Sequence, residues 1–125
     1  MVEDVRQLKI LRLLISLTQA RKIEWESATN NRHVPGRYSA SIADATFSIW
    51  SKDGDGLHPY IFEMYNGEGD QVGLVRSRPV DSAVDQEMND LIQELHQAAH
   101  RNATNIDAFL DHLIEELERE DGSPF

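Results

Sequence analysis

Apolar residues recur at helical spacing through the first part of the chain. In the segment 8–17 they cover an arc of about 220°, interrupted by Lys9, Arg12 and Ser16. A helix that lies on a sheet and faces water on its other side needs roughly half of that arc. The pattern therefore predicts a helix over residues 3–21 that is covered on two sides, either by its own chain or by a second copy.

After residue 21 the period changes to two, which is typical of strands. Ile23 and Trp25 alternate with charged residues, and further alternating stretches follow between turn signals rich in Gly, Asn, Asp and Pro. The predicted strands are residues 23–25, 38–42, 46–50, 59–65 and 71–76. Because the connections are short, neighbouring strands are expected to be antiparallel, which makes the sheet a meander.

A helical period returns after Pro79. Ser82, with Asp85 three residues later, resembles a capping box for a helix with the apolar stripe Val84, Met88, Leu91, Ile92, Leu95 and Ala99. Thr104 is the expected cap of a last helix, whose stripe is Ile106, Phe109, Leu110, Leu113, Ile114 and Leu117.

These elements predict an α+β fold with an N-terminal helix, a five-stranded antiparallel meander and two C-terminal helices packed on one face of the sheet. Residues 1–121 are expected to form a single domain, and residues 122–125 a frayed tail. The expected core face of the sheet is Ile23, Trp25, Ala40, Ile42, Phe47, Ile49, Tyr60, Phe62, Met64, Val72 and Leu74. The opposite face would carry Trp50, Ile61, Tyr65 and Val75 among polar residues, with nothing in the chain left to cover it.

Charge divides the chain into two parts. Residues 1–80 hold ten Asp/Glu and ten Lys/Arg, whereas residues 81–121 hold twelve Asp/Glu against Arg101 and Arg119, which accounts for the net charge of −10. This balance argues against binding to nucleic acid or to an anionic membrane, since both require concentrated Lys and Arg. The chain contains no cysteine, which excludes disulfides and thiol chemistry. No signal or membrane-spanning segment is visible, so we expect a cytoplasmic protein.

The run Leu14-x-x-Leu17-Thr18-x-x-x-x-Ile23-x-Trp25 resembles the opening of many short bacterial proteins. In these proteins a leucine-rich helix passes through a Thr and a basic pair into a first strand that ends in Trp. A strand meander and a helical tail usually follow. The resemblance implies the same fold and a bacterial, cytosolic origin. It implies no activity, since none is assigned to these proteins, and no catalytic residue can be transferred.

Two patterns suggest metal sites, and neither is complete. His96 and His100 have the i, i+4 spacing that can present two imidazoles to one ion, but no third ligand is evident, and we expect two solvated histidines. Counting the calcium loop from Asp53 puts Leu57 at position 5 and Met64 at position 12, where oxygen ligands are needed. We therefore expect no metal, no cofactor and no catalytic residue.

The leading functional hypothesis is a non-enzymatic protein-interaction module, such as an acidic adaptor, an immunity protein or inhibitor, or a chaperone-like protein. Its partner would be a basic protein, attracted by the acidic helices, or a second copy in a homodimer. The interaction residues would be Trp50, Ile61, Tyr65, Glu115, Glu116 and Glu118. The alternative is a small-molecule binder or minor enzyme, with a pocket lined by Tyr38, Trp50, His58, Tyr60 and Tyr65. Mimicry of DNA by the acidic face is a third option.

Overall fold

The computed structural model describes residues 2–27, 37–52 and 58–122. It confirms the predicted α+β class and the order of the elements. Their bounds are α1 (Val2–Gln19), β1 (Glu26–Ser27), β2 (Tyr38–Ile42), β3 (Ala45–Ser51), β4 (Tyr60–Tyr65), β5 (Gln71–Arg76), α2 (Ala83–Thr104) and α3 (Ile106–Glu120). The candidate calcium loop 53–57 and residues 123–125 of the predicted tail lie outside the described residues. In the described part of the chain, no helix has the length and apolarity that a bilayer crossing requires.

The five strands form one antiparallel meander in the order β1-β2-β3-β4-β5. The register places Tyr38, Ile49, Phe62 and Val75 side by side across the sheet. All of them are buried, so this row forms the centre of the inner face, which packs against the helices. β1 is shorter than expected: Ile23 and Trp25 are buried as predicted, but they lie in the connection that precedes it.

The predicted core face is wrong in β5. Val72 and Leu74 are exposed, whereas Val75 is only 2% exposed. The cause is a register shift between Met64 and Tyr65. Met64 pairs with Gly73 and Tyr65 pairs with Gln71, so β5 contains one extra residue, at position 72. A bulge of this kind reverses which side chains face the core.

Gly73 explains how the shifted register is accommodated. A Cβ at this position would lie 2.3 Å from the terminal methyl group of Met64, so the missing side chain leaves space for the methionine on the inner face. The core prediction also fails at Ile42, which is 40% exposed because it is the last residue of β2, beside the turn at Ala43.

α2 is the central helix. Met88, Ile92, Leu95 and Ala99 of its predicted stripe are completely buried, and Leu91 is half-buried. Val84, by contrast, is 39% exposed at the first turn of the helix. The buried side chains of α2 belong to the same core cluster as those of α1 and the sheet.

The predicted cap of α2 is confirmed, because the side chain of Ser82 accepts a hydrogen bond from the backbone N–H of Asp85. The Asp85 carboxylate accepts in turn from the N–H of Asp81, at 3.0 Å. That backbone hydrogen bond is the main reason why the pKa of Asp85 is lowered.

Two asparagines on α2 hold connecting segments by their side-chain amides. Asn102 accepts from the N–H of Trp25 at 2.7 Å and donates to the C=O of Ile23 at 2.9 Å. Asn89 makes the same pair of bonds with the backbone of Arg78, at 2.9 and 2.8 Å. α2 is therefore tied to the chain just before β1 and just after β5, which are the two edge strands of the sheet.

The wide apolar arc of α1 is covered by its own chain. α1 packs along α2, and Leu8, Leu11, Leu14 and Ile15 are buried. On the segment 8–17 only Leu13 remains exposed among the large apolar side chains, at 52%. The sequence allowed the apolar arc of α1 to be covered either by its own chain or by a second copy. The structure shows cover by its own chain, so α1 gives no reason to expect a second copy.

The junction between α2 and α3 differs from the prediction that Thr104 caps α3. Thr104 is the last residue of α2, and its hydroxyl donates to the C=O of His100. The helix ends because Asn105 adopts a left-handed conformation with φ 53°, which asparagine tolerates better than most residues. The side chain of Asn105 makes no capping hydrogen bond to α3.

We predict that Asn102→Ala lowers the free energy of unfolding by about 1–3 kcal/mol, because the Trp25 N–H and the Ile23 C=O lose their partner in a partly buried site. Chemical denaturation measures this change. The matched control is Gln97→Ala, which removes an exposed amide from the same helix and should change stability by less than about 0.5 kcal/mol. Equal effects of the two substitutions would contradict the bridging role of Asn102.

Candidate functional site

α3 presents a continuous apolar stripe to solvent. The stripe, hereafter the α3 stripe, consists of side chains that are 38–60% exposed: Phe109, Leu110, Leu113, Ile114 and Leu117. None of the described side chains of α3 is buried, and none belongs to the core cluster. At about 100° per residue the stripe spans an arc of about 140°, which is the width of a helix face that packs on a partner.

Acidic residues lie along both edges of the α3 stripe. Glu118 and Asp111 follow Ile114 around the helix on one side, and Glu116 precedes Phe109 on the other, at about 100° per residue. Glu120 lies within the arc of the stripe, just beyond its C-terminal end. Of the predicted acidic interaction residues, Glu116 and Glu118 therefore flank the stripe. Glu115 lies about 170° from the middle of the stripe, so it is on the opposite face.

The cationic side chain of α3 is on the face away from the stripe. Arg119 lies about 150° from the middle of the stripe, and it pairs with Glu116 at 2.5 Å. His112 occupies the same side of the helix, about 130° from the middle. The stripe is consequently bordered by carboxylates, and one of them, Glu116, is paired with Arg119.

α3 has few means of stabilising itself as a helix. It is 15 residues long, and its N-terminus has no side-chain cap. Isolated helices of roughly this length are marginal in water. Glu115, Glu116, Glu118 and Glu120 lie in its C-terminal half, where the helix dipole disfavours negative charge. A partner that covered the stripe and neutralised these acids would stabilise the helix.

The three predicted interaction residues of the sheet, Trp50, Ile61 and Tyr65, lie on its outer face. Trp50 pairs with Ile61 across β3 and β4, and Tyr65 pairs with Thr46 on the same face. All three are half-buried. They do not form one patch with the glutamates, which lie on α3, a separate element beyond α2.

Arg37 covers part of this outer face. Its guanidinium lies 4.3 Å from the ring centroid of Trp50, donates to Ser48 Oγ at 2.9 Å and lies 3.5 Å from the Glu63 carboxylate. Burial, together with the adjacent carboxylate of Glu63, raises the pKa of Tyr65. Arg37 thus already covers Trp50 on the outer face by intramolecular contacts.

A ladder of tyrosine and histidine rings lies between the sheet and α2. His96 stands between Tyr38 and Tyr60, with ring centroids 5.5 and 5.0 Å away. Tyr38 OH and His100 Nδ1 are hydrogen-bonded, and His58 meets Tyr60 edge-on at 4.8 Å. The expectation of two solvated histidines is wrong for His96, which is 8% exposed because it faces the inner side of the sheet.

The hypothetical pocket residues do not share a cavity. Tyr38, Tyr60 and His58 belong to the ring ladder, whereas Trp50 and Tyr65 lie on the other face of the sheet. A cleft of about 750 Å³ lies elsewhere, between the end of α1 and the second half of α2. Its walls include Arg21, Arg101, Glu24, Glu94 and Trp25. Within the described ranges, no group of three or more His, Asp or Glu side chains is placed to hold a metal ion.

Comparison of the chain with protein-family models, with curated proteins and with solved structures finds no match. The comparisons therefore supply no family and no activity.

Sequence reasoning identified the α3 stripe but not its exposure. A core stripe and a docking stripe have the same period, so the pattern does not distinguish them. The feature of the sequence that could have predicted this exposure was the number of strands, which sets the width of the sheet. Five strands span roughly 20 Å, and two helices packed about 10 Å apart already cover that width.

We predict that the double variant Leu113→Gln/Leu117→Gln keeps the stability of the domain within about 0.5 kcal/mol of wild type, because neither leucine is part of the core. Glutamine is chosen because its helix propensity is close to that of leucine. Thermal and chemical unfolding measure the change. A loss as large as that of Leu95→Ala, expected at about 2–5 kcal/mol, would show that the stripe packs within its own chain.

We predict that Tyr38 ionises at a higher pH than a free tyrosine, because burial raises its pKa above 10.0. Since the folded state favours the neutral phenol, the stability contributed by this group is complete below pH 10 and is lost as the pH rises through the raised pKa. The difference in tyrosinate absorbance between wild type and Tyr38→Phe isolates this titration. Ionisation of Tyr38 at or below pH 10 in the folded protein would contradict the prediction.

Proposed function

We propose that this protein is a non-enzymatic protein-interaction module that docks its partner through the α3 stripe. The observation that supports this proposal is the exposure of Phe109, Leu110, Leu113, Ile114 and Leu117 on one face of a helix that adds no described side chain to the core. Scattered apolar residues on a surface are ordinary, but a contiguous apolar stripe bordered by charge is typical of an interaction site.

The exposure of the stripe has a free-energy cost that a partner would remove. Burying a leucine or phenylalanine side chain is worth about 1.5–3 kcal/mol, and five such side chains are only partly covered on α3. An amphipathic helix that places residues at i, i+4 and i+7 into an apolar groove is a recurrent mode of recognition. Leu110, Ile114 and Leu117 have this spacing.

A membrane surface is a poor candidate for the same stripe. Helices that lie in the membrane interface carry Lys and Arg on their polar face, which the anionic headgroups attract. α3 contains six acidic residues and one arginine, so an anionic bilayer would repel it. The same charge disfavours nucleic acid.

The binding of a small molecule, or catalysis, has weaker support. Tyr60 is completely buried, and Tyr38 and His96 are 5% and 8% exposed, so a substrate would have little access to the ring ladder. These rings instead fill the space between the sheet and α2. The cleft beside Trp25 is polar, and its charged side chains include both signs, which gives no indication of a ligand class.

The test is affinity capture from native lysate with wild type, with Leu113→Gln/Leu117→Gln and with the control Leu13→Gln. Leu13 is also an exposed leucine, but it lies on α1 rather than on α3. The control therefore makes the same chemical change outside the α3 stripe. We expect proteins that are retained by wild type and by the control and are lost with the α3 double variant. Retention that is unaffected by the α3 substitutions would overturn the assignment of the docking surface.

A further inference from the structure

We propose that the α3 stripe binds an amphipathic helix whose own apolar stripe is flanked by lysine and arginine. This inference rests on the proposed function and adds the chemistry of the partner. The geometry that points to it is the pair of acidic edges, Asp111 with Glu118 on one side and Glu116 on the other, along an apolar face that no part of the described chain covers.

The edges of the stripe would meet the flanks of whatever helix packs on it. In a pair of helices the residues beside the apolar seam face one another, and their charges decide which partners associate. Both edges of the α3 stripe are acidic. A partner with basic flanks therefore gains attraction along both sides of the seam, whereas a partner with acidic flanks is repelled along both.

A second copy of the chain fits this pattern poorly. If two α3 helices packed stripe to stripe, in either direction, acidic edges would face acidic edges. Arg119 offsets the charge of one edge residue, Glu116, by pairing with it. α3 contains no other Lys or Arg, so the edge formed by Asp111 and Glu118 would still repel its counterpart. The rest of each molecule adds to the repulsion, since the chain has a net charge of −10.

The helix dipole favours the same partner. Glu116, Glu118 and Glu120 lie in the last turns of α3, where negative charge destabilises a helix. Lys or Arg side chains brought beside these carboxylates would offset the repulsion and stabilise α3 in the complex. Because the contacts lie at an exposed rim, their contribution should weaken as salt screens them.

The experiment uses the full chain and synthetic helical peptides of about 15 residues, the length of α3. All peptides carry leucine at helical spacing and differ only in the residues beside the stripe, which are lysine, glutamine or glutamate. A fourth peptide has the composition of the lysine peptide in scrambled order, without a stripe. Binding is followed by fluorescence anisotropy at low and at high salt.

We expect the lysine-flanked peptide to bind most tightly, with an affinity that falls as salt is raised. Leu113→Gln/Leu117→Gln should weaken this binding by roughly a hundredfold or more, because two leucines lose their apolar contacts. Glu116→Gln/Glu118→Gln, which removes one carboxylate from each edge, should weaken it by roughly three- to tenfold.

The matched control for charge is Glu115→Gln/Glu68→Gln. It also removes two carboxylates, one from the far face of α3 and one from the exposed turn before β5, and it should leave affinity within about twofold of wild type. An equal loss in this control would mean that the lysine peptide responds to net charge rather than to the edges of the stripe, and the proposal would be wrong.

Failure of the partner chemistry is distinguishable from failure of the docking surface. If the glutamine- or glutamate-flanked peptide binds as tightly as the lysine peptide, or if no peptide binds, the basic-helix proposal is overturned. It is also overturned if sedimentation shows a dimer that the leucine substitutions dissociate. The dimer would still support docking through α3, and the lysate test above decides that question separately.

Discussion

The side-chain amide of Asn102 accepts from Trp25 N–H and donates to Ile23 C=O, and Asn89 binds the backbone of Arg78 in the same way. These four hydrogen bonds fix α2 to the chain beside both edge strands. Between them, Met88, Ile92 and Leu95 fill the core. An amide side chain suits this task because it offers a donor and an acceptor together, as a neighbouring strand would. With α2 in this position, α1 packs beside it and the inner face of the sheet is covered.

The position of α2 has a consequence for the rest of the chain. α2 packs on the inner face of the sheet, and α1 packs along α2. α3 begins where the left-handed conformation of Asn105 redirects the chain, and its apolar face remains exposed. Thus the strongly acidic helix α3 also carries a continuous apolar stripe that is exposed in the described structure. In the interaction that we propose, the apolar contact would supply affinity and the carboxylates at its edges would select the partner.

The outer face of the sheet and the ring ladder have structural roles. Arg37 stacks on Trp50 and binds Ser48 and Glu63, which satisfies the polar groups of the uncovered face. His96 packs between Tyr38 and Tyr60 and joins α2 to the inner face. Both arrangements use residue types that are common in binding sites. Their burial and mutual contacts account for them as packing, and this is why we propose α3 as the recognition surface instead.

The sequence by itself determined the α+β class, the order of the elements, the meander and the Ser82 cap, because each depends on local periodicity or on hydrogen bonds between near neighbours. It also determined the separation of charge that makes α3 acidic. Only the tertiary structure decided that Val75 rather than Val72 and Leu74 faces the core, because a bulge at residue 72, next to Gly73, shifts the register. In the same way, only packing decided which stripe would be buried. The stripes of α2 and α3 have the same period, and the limited width of the sheet leaves α3 exposed.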